Sequence, residues 1–297
     1  MSIKLIVSDM DGTLLDYDDI IPKENIDTLI KCQKRGIQII LASGRSHNRL
    51  MPYSKTLKLE EYGGLFIEVN GMAIYNPKNH ERKIFEQMNR SEIIHLCKLI
   101  RPLDTEIQIY FDDGLFYYIP ESLLATKLKE RQNRGLPDDY PWLSGPWSWN
   151  NDTRKSGYPK QKQIFNFEEI NLPILNKVNL SHCKEKLDSI TSELKEVLGN
   201  KYQIVRTCDR MIEITPKSIS KGQALKHYME EKNLQPDEVI VFGDGGNDLD
   251  MFEKVKYSIA MGNASEEVKS KAYFVTDTNT NYGVAKALYK FILDNET

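Results

Sequence analysis

The amino-acid sequence predicts an α/β protein in which a parallel sheet flanked by helices is interrupted by an inserted α+β module. Three observations predict this class: strands and helices alternate near the N-terminus, the alternation returns near the C-terminus, and a different pattern lies between. The chain has 297 residues, a length that corresponds to about two domains.

The N-terminal part alternates between apolar runs and amphipathic segments. Apolar, β-branched runs predict three strands, at 3–8, 37–42 and 64–71. Apolar residues at helical spacing predict two helices between them, at 23–35 and 47–57. Strands connected through helices pair in parallel, because the chain crosses back over the sheet before the next strand begins.

The same alternation returns towards the C-terminus. It predicts strands at 239–242, 257–262 and 272–277, and helices at 220–232, 248–255, 264–271 and 283–293. Because both terminal parts share one pattern, we expect them to form a single domain that comprises residues 1–82 and 214–297.

The middle of the chain, residues 83–213, differs from both ends. Two segments, 107–119 and 202–215, are predicted to form hairpins, the first with its turn at Asp112-Asp113-Gly114. Two further segments are predicted to be helical, at 121–134 and 183–198. Hairpins imply an antiparallel sheet, so we expect a separate α+β domain inserted in the first.

A long loop rich in tryptophan, residues 132–163, interrupts this inserted domain. It contains all three tryptophans of the chain, Trp142, Trp147 and Trp149. Irregular loops of this length are uncommon inside a compact domain and often have a function. Two interpretations stay open: the loop lies over the functional site, or it packs on its own sheet or on a partner subunit.

Composition excludes several classes of function. The net charge is −3 and both signs are spread along the chain, so we expect no binding of nucleic acid. No apolar run is long enough to span a membrane, and the apolar stretch at the N-terminus is too short for a signal peptide. The four cysteines form no CxxC pair, which favours reduced thiols. We therefore expect a cytoplasmic protein, either a monomer or a weak homodimer.

Polar residues follow three of the predicted strands at their carboxyl ends. Asp9 and Asp11 follow the first strand, Ser43 and Gly44 the second, and the run GDGGND at 243–248 follows a C-terminal strand. Ligands of parallel α/β sheets bind beyond the carboxyl ends of the strands, so these groups are expected to converge. The Ser43 hydroxyl and the Gly44 amide would donate hydrogen bonds to an oxygen-rich ligand.

The carboxylates of Asp9, Asp11 and Asp244 are expected to form an oxygen-rich pocket. Carboxylates close together repel each other unless a cation neutralises them. Oxygen ligands suit Mg²⁺, which also binds substrate phosphate. Lys221, at the start of a predicted helix, would balance both the carboxylates and a phosphoryl oxygen.

The ordered motifs DMDGTLL, LASGR, SKG and GDGGNDLDM resemble the haloacid dehalogenase superfamily of phosphatases. The inserted middle and the ending AMGNA…VT…GVA resemble its Cof-type branch. The motifs cover residues 1–82 and about 214–297, and the middle matches by position and rough pattern only. This resemblance implies a Rossmann-like catalytic core and a large inserted α/β cap, residues 83–213, which sets substrate specificity.

The resemblance also implies a mechanism, that of a Mg²⁺-dependent phosphatase that hydrolyses small phosphomonoesters through an aspartyl phosphate. Asp9 would be the nucleophile, and Asp11 the general acid and then the base. Asp9, the backbone carbonyl of Asp11, and Asp244 would hold the metal.

The other motif residues would bind the phosphate or support the site. The phosphate would be bound by Ser43, Gly44, Lys221 and Asn247. Gly12 and Thr13 would form the turn that presents Asp11, and Asp248 would orient Lys221 or a metal-bound water.

Alternatives remain at several points. Sugar phosphates are the favoured substrates, with pyridoxal phosphate or nucleotides also considered. A phosphotransferase or phosphomutase would use the same aspartyl phosphate, and a non-enzymatic phosphate sensor is a third reading. Arg45 would line the rim of the site or be structural, and His47 is expected to be a surface residue at a helix start.

Overall fold

The computed structural model describes residues 3–133, 135 and 160–294. In chain order, its strands are β1 (Leu5–Asp9), β2 (Gln38–Ala42), β3 (Leu65–Glu68), β4 (Ala73–Tyr75), β5 (Arg82–Ile84), β6 (Met88–Asn89), β7 (Glu106–Phe111), β8 (Gly114–Tyr118), β9 (Lys160–Gln163), β10 (Ile174–Leu175), β11 (Lys177–Ser181), β12 (Tyr202–Cys208), β13 (Met211–Pro216), β14 (Val239–Gly243), β15 (Tyr257–Ala260) and β16 (Phe274–Val275). Its α-helices are α1 (Lys23–Lys34), α2 (His47–Leu57), α3 (Leu59–Tyr62), α4 (Arg90–Ile100), α5 (Glu121–Asn133), α6 (Lys184–Leu198), α7 (Lys221–Lys232), α8 (Leu249–Phe252), α9 (Glu266–Ser270) and α10 (Gly283–Leu288).

The chain forms two compact units. The core unit comprises Met1–Phe85 and Ile219–Thr297, and the cap unit comprises Glu86–Ser218. These bounds lie a few residues beyond the predicted ones because β5 pairs with β4 in the core sheet, whereas β13 pairs with β11 and β12 in the cap sheet.

The core unit is built on an eight-stranded sheet in the order β16-β15-β14-β1-β2-β3-β4-β5. The strands from β16 to β3 are parallel, and β4 and β5 extend the sheet in antiparallel pairing. Every residue of β1 is buried, because alternate side chains pack on opposite faces of the sheet. Ile6 packs with α1 and α10, and Val7 packs with α7. The predicted α/β fold is confirmed.

Several predicted bounds in the core unit were wrong. The strand predicted at 64–71 ends at Glu68, because the chain turns at Asn70 and Gly71. The helix predicted at 248–255 is shortened to α8, since the chain must turn to reach β15. The short strands β4 and β5 were not predicted.

The cap unit contains a six-stranded sheet in the order β12-β13-β11-β7-β8-β9. Both predicted hairpins are confirmed, as β7 with β8 and β12 with β13. One face of the sheet packs against α4 and α6 in an apolar core.

The central strand β11 and the helix α4 were not predicted. The sequence of β11, KVNLS, lacks an apolar run, yet all five residues are buried. Its Lys177 ammonium lies 2.5 Å from a Glu213 carboxylate oxygen on β13. Buried charges are tolerated when they are paired. Because β11 is buried but polar, it lacks the apolar pattern from which strands were predicted.

Residues 136–159, which include the three tryptophans, lie outside the described residues, so both interpretations of the tryptophan-rich loop stay predictions.

Among the residues that the structure describes, none of the helices combines the length and the apolar character needed to cross a membrane.

Candidate active site

The three predicted strand ends lie side by side in the core sheet. Strand β1 lies between β14 and β2, so the residues that follow each strand meet at one edge of the sheet. Asp9 is the last residue of β1 and is in register with Ala42, which directly precedes Ser43. Ser8 is in register with Phe242 of β14. Phe242 directly precedes the glycine-rich loop at 243–248. The expected convergence of these segments is therefore found.

The ammonium of Lys221 lies buried between two carboxylates. Its Nζ is 2.5 Å from Asp9 Oδ1 and 2.8 Å from Asp248 Oδ1, and the side chain is 0% exposed. Burial alone would lower the pKa of Lys221, but the charges of Asp248 and Asp9 raise it well above its usual range. Lys221 is the first residue of α7, whose start is fixed by Ser220, because its hydroxyl accepts a hydrogen bond from the Gln223 amide.

Asp9, Asp244 and Asp248 form an acidic cluster in which one oxygen of each lies within 4.8 Å of the others. Burial raises the pKa of Asp9 well above its usual value against the opposing charge of Lys221, and the neighbouring carboxylates raise it further. Burial and the charge of Asp248 raise the pKa of Asp244 to about 6. One lysine leaves negative charge in excess here, and hard oxygen donors match what Mg²⁺ prefers. The donor set therefore fits a divalent cation.

Asp248 has both carboxylate oxygens engaged by the protein. Its Oδ2 accepts hydrogen bonds from the amides of Asp244 and Gly245 at 3.1 and 3.0 Å, and its Oδ1 faces Lys221. Asp248 thus connects the glycine-rich loop at 243–248 to Lys221.

Gly12 makes the turn after β1 possible. Its φ is +78°, and a Cβ there would lie 2.3 Å from Asp244 Oδ2. The next residue, Thr13, donates a hydrogen bond of 3.0 Å from its hydroxyl to Asp244 Oδ1. The turn and Asp244 are therefore fitted to each other with no space for a side chain at position 12.

The carboxylate of Asp11 lies outside the acidic cluster and pairs with Arg45. Arg45 Nε donates to Asp11 Oδ2 at 3.0 Å, and its Nη2 donates to Asp11 Oδ1. Arg45 also contacts Asp19 and Tyr53. Partial burial opposes ionisation of Asp11, but the hydrogen bond and charge of Arg45 outweigh it and lower the pKa. Sequence reasoning left the position of Arg45 open and did not foresee this pair.

The loop after β2 is held by the strand beside it. Ser43 is fully buried, and its amide donates to Ile67 O at 2.9 Å. Its hydroxyl accepts a hydrogen bond from the Arg45 amide at 3.1 Å. Gly44 lies in the same loop, at the carboxyl end of β2. Asn247 donates from its side chain to Asn70 Oδ1 at 3.2 Å.

The prediction for His47 was partly wrong. It does begin α2, but it is not a surface residue. Its ring stacks on Tyr75 with centroids 4.3 Å apart, and its Nδ1 lies 2.8 Å from Oε2 of Glu68, which is fully buried. The N-terminus of α2 is therefore fixed to the end of β3.

Comparison with known proteins agrees with this fold. The chain matches the model of the haloacid dehalogenase-like hydrolase family over residues 6–288. It therefore belongs to that family and is an enzyme, which confirms the resemblance found in its sequence.

Individual relatives extend this result over the whole chain. Phosphatase YwpJ of Bacillus subtilis is 27% identical over 289 residues, which cover 95% of this chain and 97% of that protein. The crystal structure of a haloacid dehalogenase-like hydrolase from Bacteroides thetaiotaomicron is 28% identical, with a TM-score of 0.77 over 98% of this chain and 100% of that one. A sugar phosphatase of subclass IIB, 20% identical over 97% and 98% of the two chains, has the same fold with a TM-score of 0.72.

We predict that Gly12→Ala destabilises the protein more than Gly36→Ala does. Both glycines have positive φ, and nothing lies within 4 Å of a Cβ at position 36. The control therefore measures only the left-handed backbone, about 1–2 kcal/mol, whereas Gly12→Ala also displaces Asp244. Urea denaturation gives the free energy of unfolding of each variant. Equal losses would show that the turn and Asp244 are not mutually fitted.

Proposed function

We propose that the protein is a Mg²⁺-dependent phosphatase that hydrolyses small phosphomonoesters through a phosphorylated Asp9. The observation that carries the proposal is the buried Lys221 ammonium held between Asp9 and Asp248, next to Asp244. The names of two relatives, a phosphatase and a sugar phosphatase, support the same activity and make sugar phosphates the favoured substrates.

Asp9 would attack the phosphorus atom of the ester. A bond forms between a carboxylate oxygen and phosphorus while the bond from phosphorus to the ester oxygen breaks, and water then hydrolyses the acyl phosphate. Lys221 fixes one oxygen of Asp9 at 2.5 Å and keeps its own positive charge at the place where phosphoryl oxygens would lie. Positioning and charge stabilisation dominate the catalysis of phosphoryl transfer.

Asp11 would serve both halves of the reaction, in different states. As a general acid it must carry a proton and separate from Arg45 to reach the leaving oxygen. The pairing with Arg45 stabilises the ionised carboxylate, which suits the second half, in which Asp11 takes a proton from water.

The remaining groups would hold the phosphoryl oxygens and the metal. Ser43, the Gly44 amide, Lys221 and the Asn247 side chain are the proposed donors to phosphate. Mg²⁺, bound by the carboxylates of Asp9 and Asp244 and the main-chain carbonyl of Asp11, would neutralise charge on both the carboxylates and the phosphate. Gly12, Thr13 and Asp248 would keep these ligands in place.

A phosphotransferase or phosphomutase is the alternative, because the same phosphorylated Asp9 could pass its phosphoryl group to a sugar. The two proposals differ in one product. Hydrolysis releases inorganic phosphate, whereas transfer does not.

We predict that Asp9→Asn lowers turnover by roughly 10³-fold or more, because an amide cannot act as the nucleophile. The assay follows inorganic phosphate released from sugar phosphates, pyridoxal phosphate and nucleotides with Mg²⁺ present. The exposed Asp237→Asn variant serves as the control and should keep wild-type activity. Substantial phosphate release by Asp9→Asn would exclude this nucleophile.

We predict that Mg²⁺ raises the melting temperature more at about pH 7.5 than at about pH 5. In the metal-free protein the pKa of Asp244 is raised from 3.8 to about 6. The folded state therefore binds this proton more tightly than the unfolded state. The resulting stability is present at low pH and is lost as the pH rises through about 6.

At the lower pH Mg²⁺ must displace the proton of Asp244, so its binding adds less to the stability of the folded state. Mg²⁺ at about 100 times its dissociation constant would add about 2.7 kcal/mol at the higher pH. EDTA should remove the shift, and Asp244→Asn should show little shift at either pH. An equal shift for wild type and Asp244→Asn would contradict the proposed metal ligands.

A further inference from the structure

The turn Val69–Gly71, which follows β3, has an unusual backbone. Its three residues have consecutive positive φ angles of 46°, 52° and 96°. Glycine tolerates this region, and asparagine does so better than most residues, but a β-branched valine there is a marked outlier. Such a conformation persists only where the surrounding structure imposes it.

On one side, this turn is bonded to the loop after β2. The Asn70 amide donates to Ser43 O at 2.9 Å, and the Val69 amide donates to Arg45 O at 3.0 Å. The backbone of the turn therefore fixes the loop that carries two of the proposed phosphate donors.

On the other side, the turn lies against the start of α7. A Cβ on Gly71 would lie 2.1 Å from Ser220 O and 3.0 Å from the amide nitrogen of Lys221. Val69 and Ile219 belong to the same small buried apolar cluster, which holds the turn against the segment that precedes α7. The turn therefore lies between the loop after β2, which carries Ser43, and the start of α7, which carries Lys221.

The side chain of Asn70 reaches the third segment of the site. It is 8% exposed, and its Oδ1 accepts a hydrogen bond of 3.2 Å from Asn247 Nδ2. A primary amide has two N–H donors on nitrogen and an acceptor on oxygen. Because one N–H of Asn247 is donated to Asn70, the amide is held in one orientation, and the same nitrogen carries a second N–H donor. Rotation by half a turn would instead present a carbonyl oxygen, which repels phosphate.

We propose that Asn70 is a positioning residue, which selects the amide orientation in which Asn247 donates a hydrogen bond to the phosphoryl group. This inference rests on the proposed function. It assigns to Asn70 no contact with substrate, and it makes the effect of Asn70 depend on Asn247.

The test compares Asn70→Gly with wild type. Glycine keeps the left-handed backbone and removes the side chain, and Asn233→Gly is the matched control, because Asn233 has a φ of 54° at the exposed end of α7. We expect Asn70→Gly to lower kcat/KM by roughly 10- to 100-fold and to weaken inhibition by orthophosphate. Its free energy of unfolding should change no more than that of Asn233→Gly, whose activity should equal wild type.

A double-mutant cycle separates positioning from a structural effect. Asn247→Ala alone should lose at least as much kcat/KM as Asn70→Gly, and the double variant should lose no more than Asn247→Ala. Additive losses, or wild-type kinetics and orthophosphate affinity in Asn70→Gly, would overturn the inference.

Calorimetric binding of orthophosphate with Mg²⁺ distinguishes this failure from failure of the proposed function. A wild-type protein that neither hydrolyses esters nor binds orthophosphate would overturn both proposals. If it binds without hydrolysis, the catalytic proposal fails, and the affinities of wild type and Asn70→Gly decide the inference. If it hydrolyses esters and Asn70→Gly matches it, only the inference fails.

Discussion

The buried ammonium of Lys221 is the interaction on which the rest of the site depends. An unpaired charge at this depth would be strongly destabilising, so the fold must bring carboxylates to it. Asp9 comes from the end of β1, and Asp248 comes from the loop after β14. These strands are neighbours in the sheet, and α7 begins at Lys221 itself. The order of strands and the start of one helix thereby determine the centre of the site.

The same arrangement leaves an imbalance of charge that links structure to chemistry. The cluster holds three carboxylates beside one lysine. Burial, and then the neighbouring carboxylates, raise the pKa values of Asp9 and Asp244. A divalent cation would offset this excess, and Lys221 and the cation would then both face the negatively charged phosphoryl oxygens of a bound ester. Asp11 lies outside the cluster and pairs with Arg45, so its carboxylate is not part of this imbalance.

Sequence reasoning located the segments that meet at the edge of the core sheet more fully than the elements around them. Asp9 and the 243–248 loop were singled out because polar residues at the carboxyl ends of parallel strands follow from the fold class. Lys221 was singled out separately, as a cation at the start of a predicted helix. Strand β11 was missed because its polar side chains are buried in cross-strand pairs, which no local pattern reveals. The turn at Asn70 was missed because the apolar run before it predicted a longer strand, although Asn-Gly is a turn signal. Its contacts join segments distant in sequence and needed the three-dimensional structure.

The most direct test of the central claim is a crystal structure of the protein with Mg²⁺ and beryllium fluoride, which mimics a phosphoryl group on aspartate. We expect the beryllium on a carboxylate oxygen of Asp9, the metal between Asp9 and Asp244, and Lys221 beside a fluorine. A metal bound away from these carboxylates, or fluoride density remote from Lys221, would contradict it.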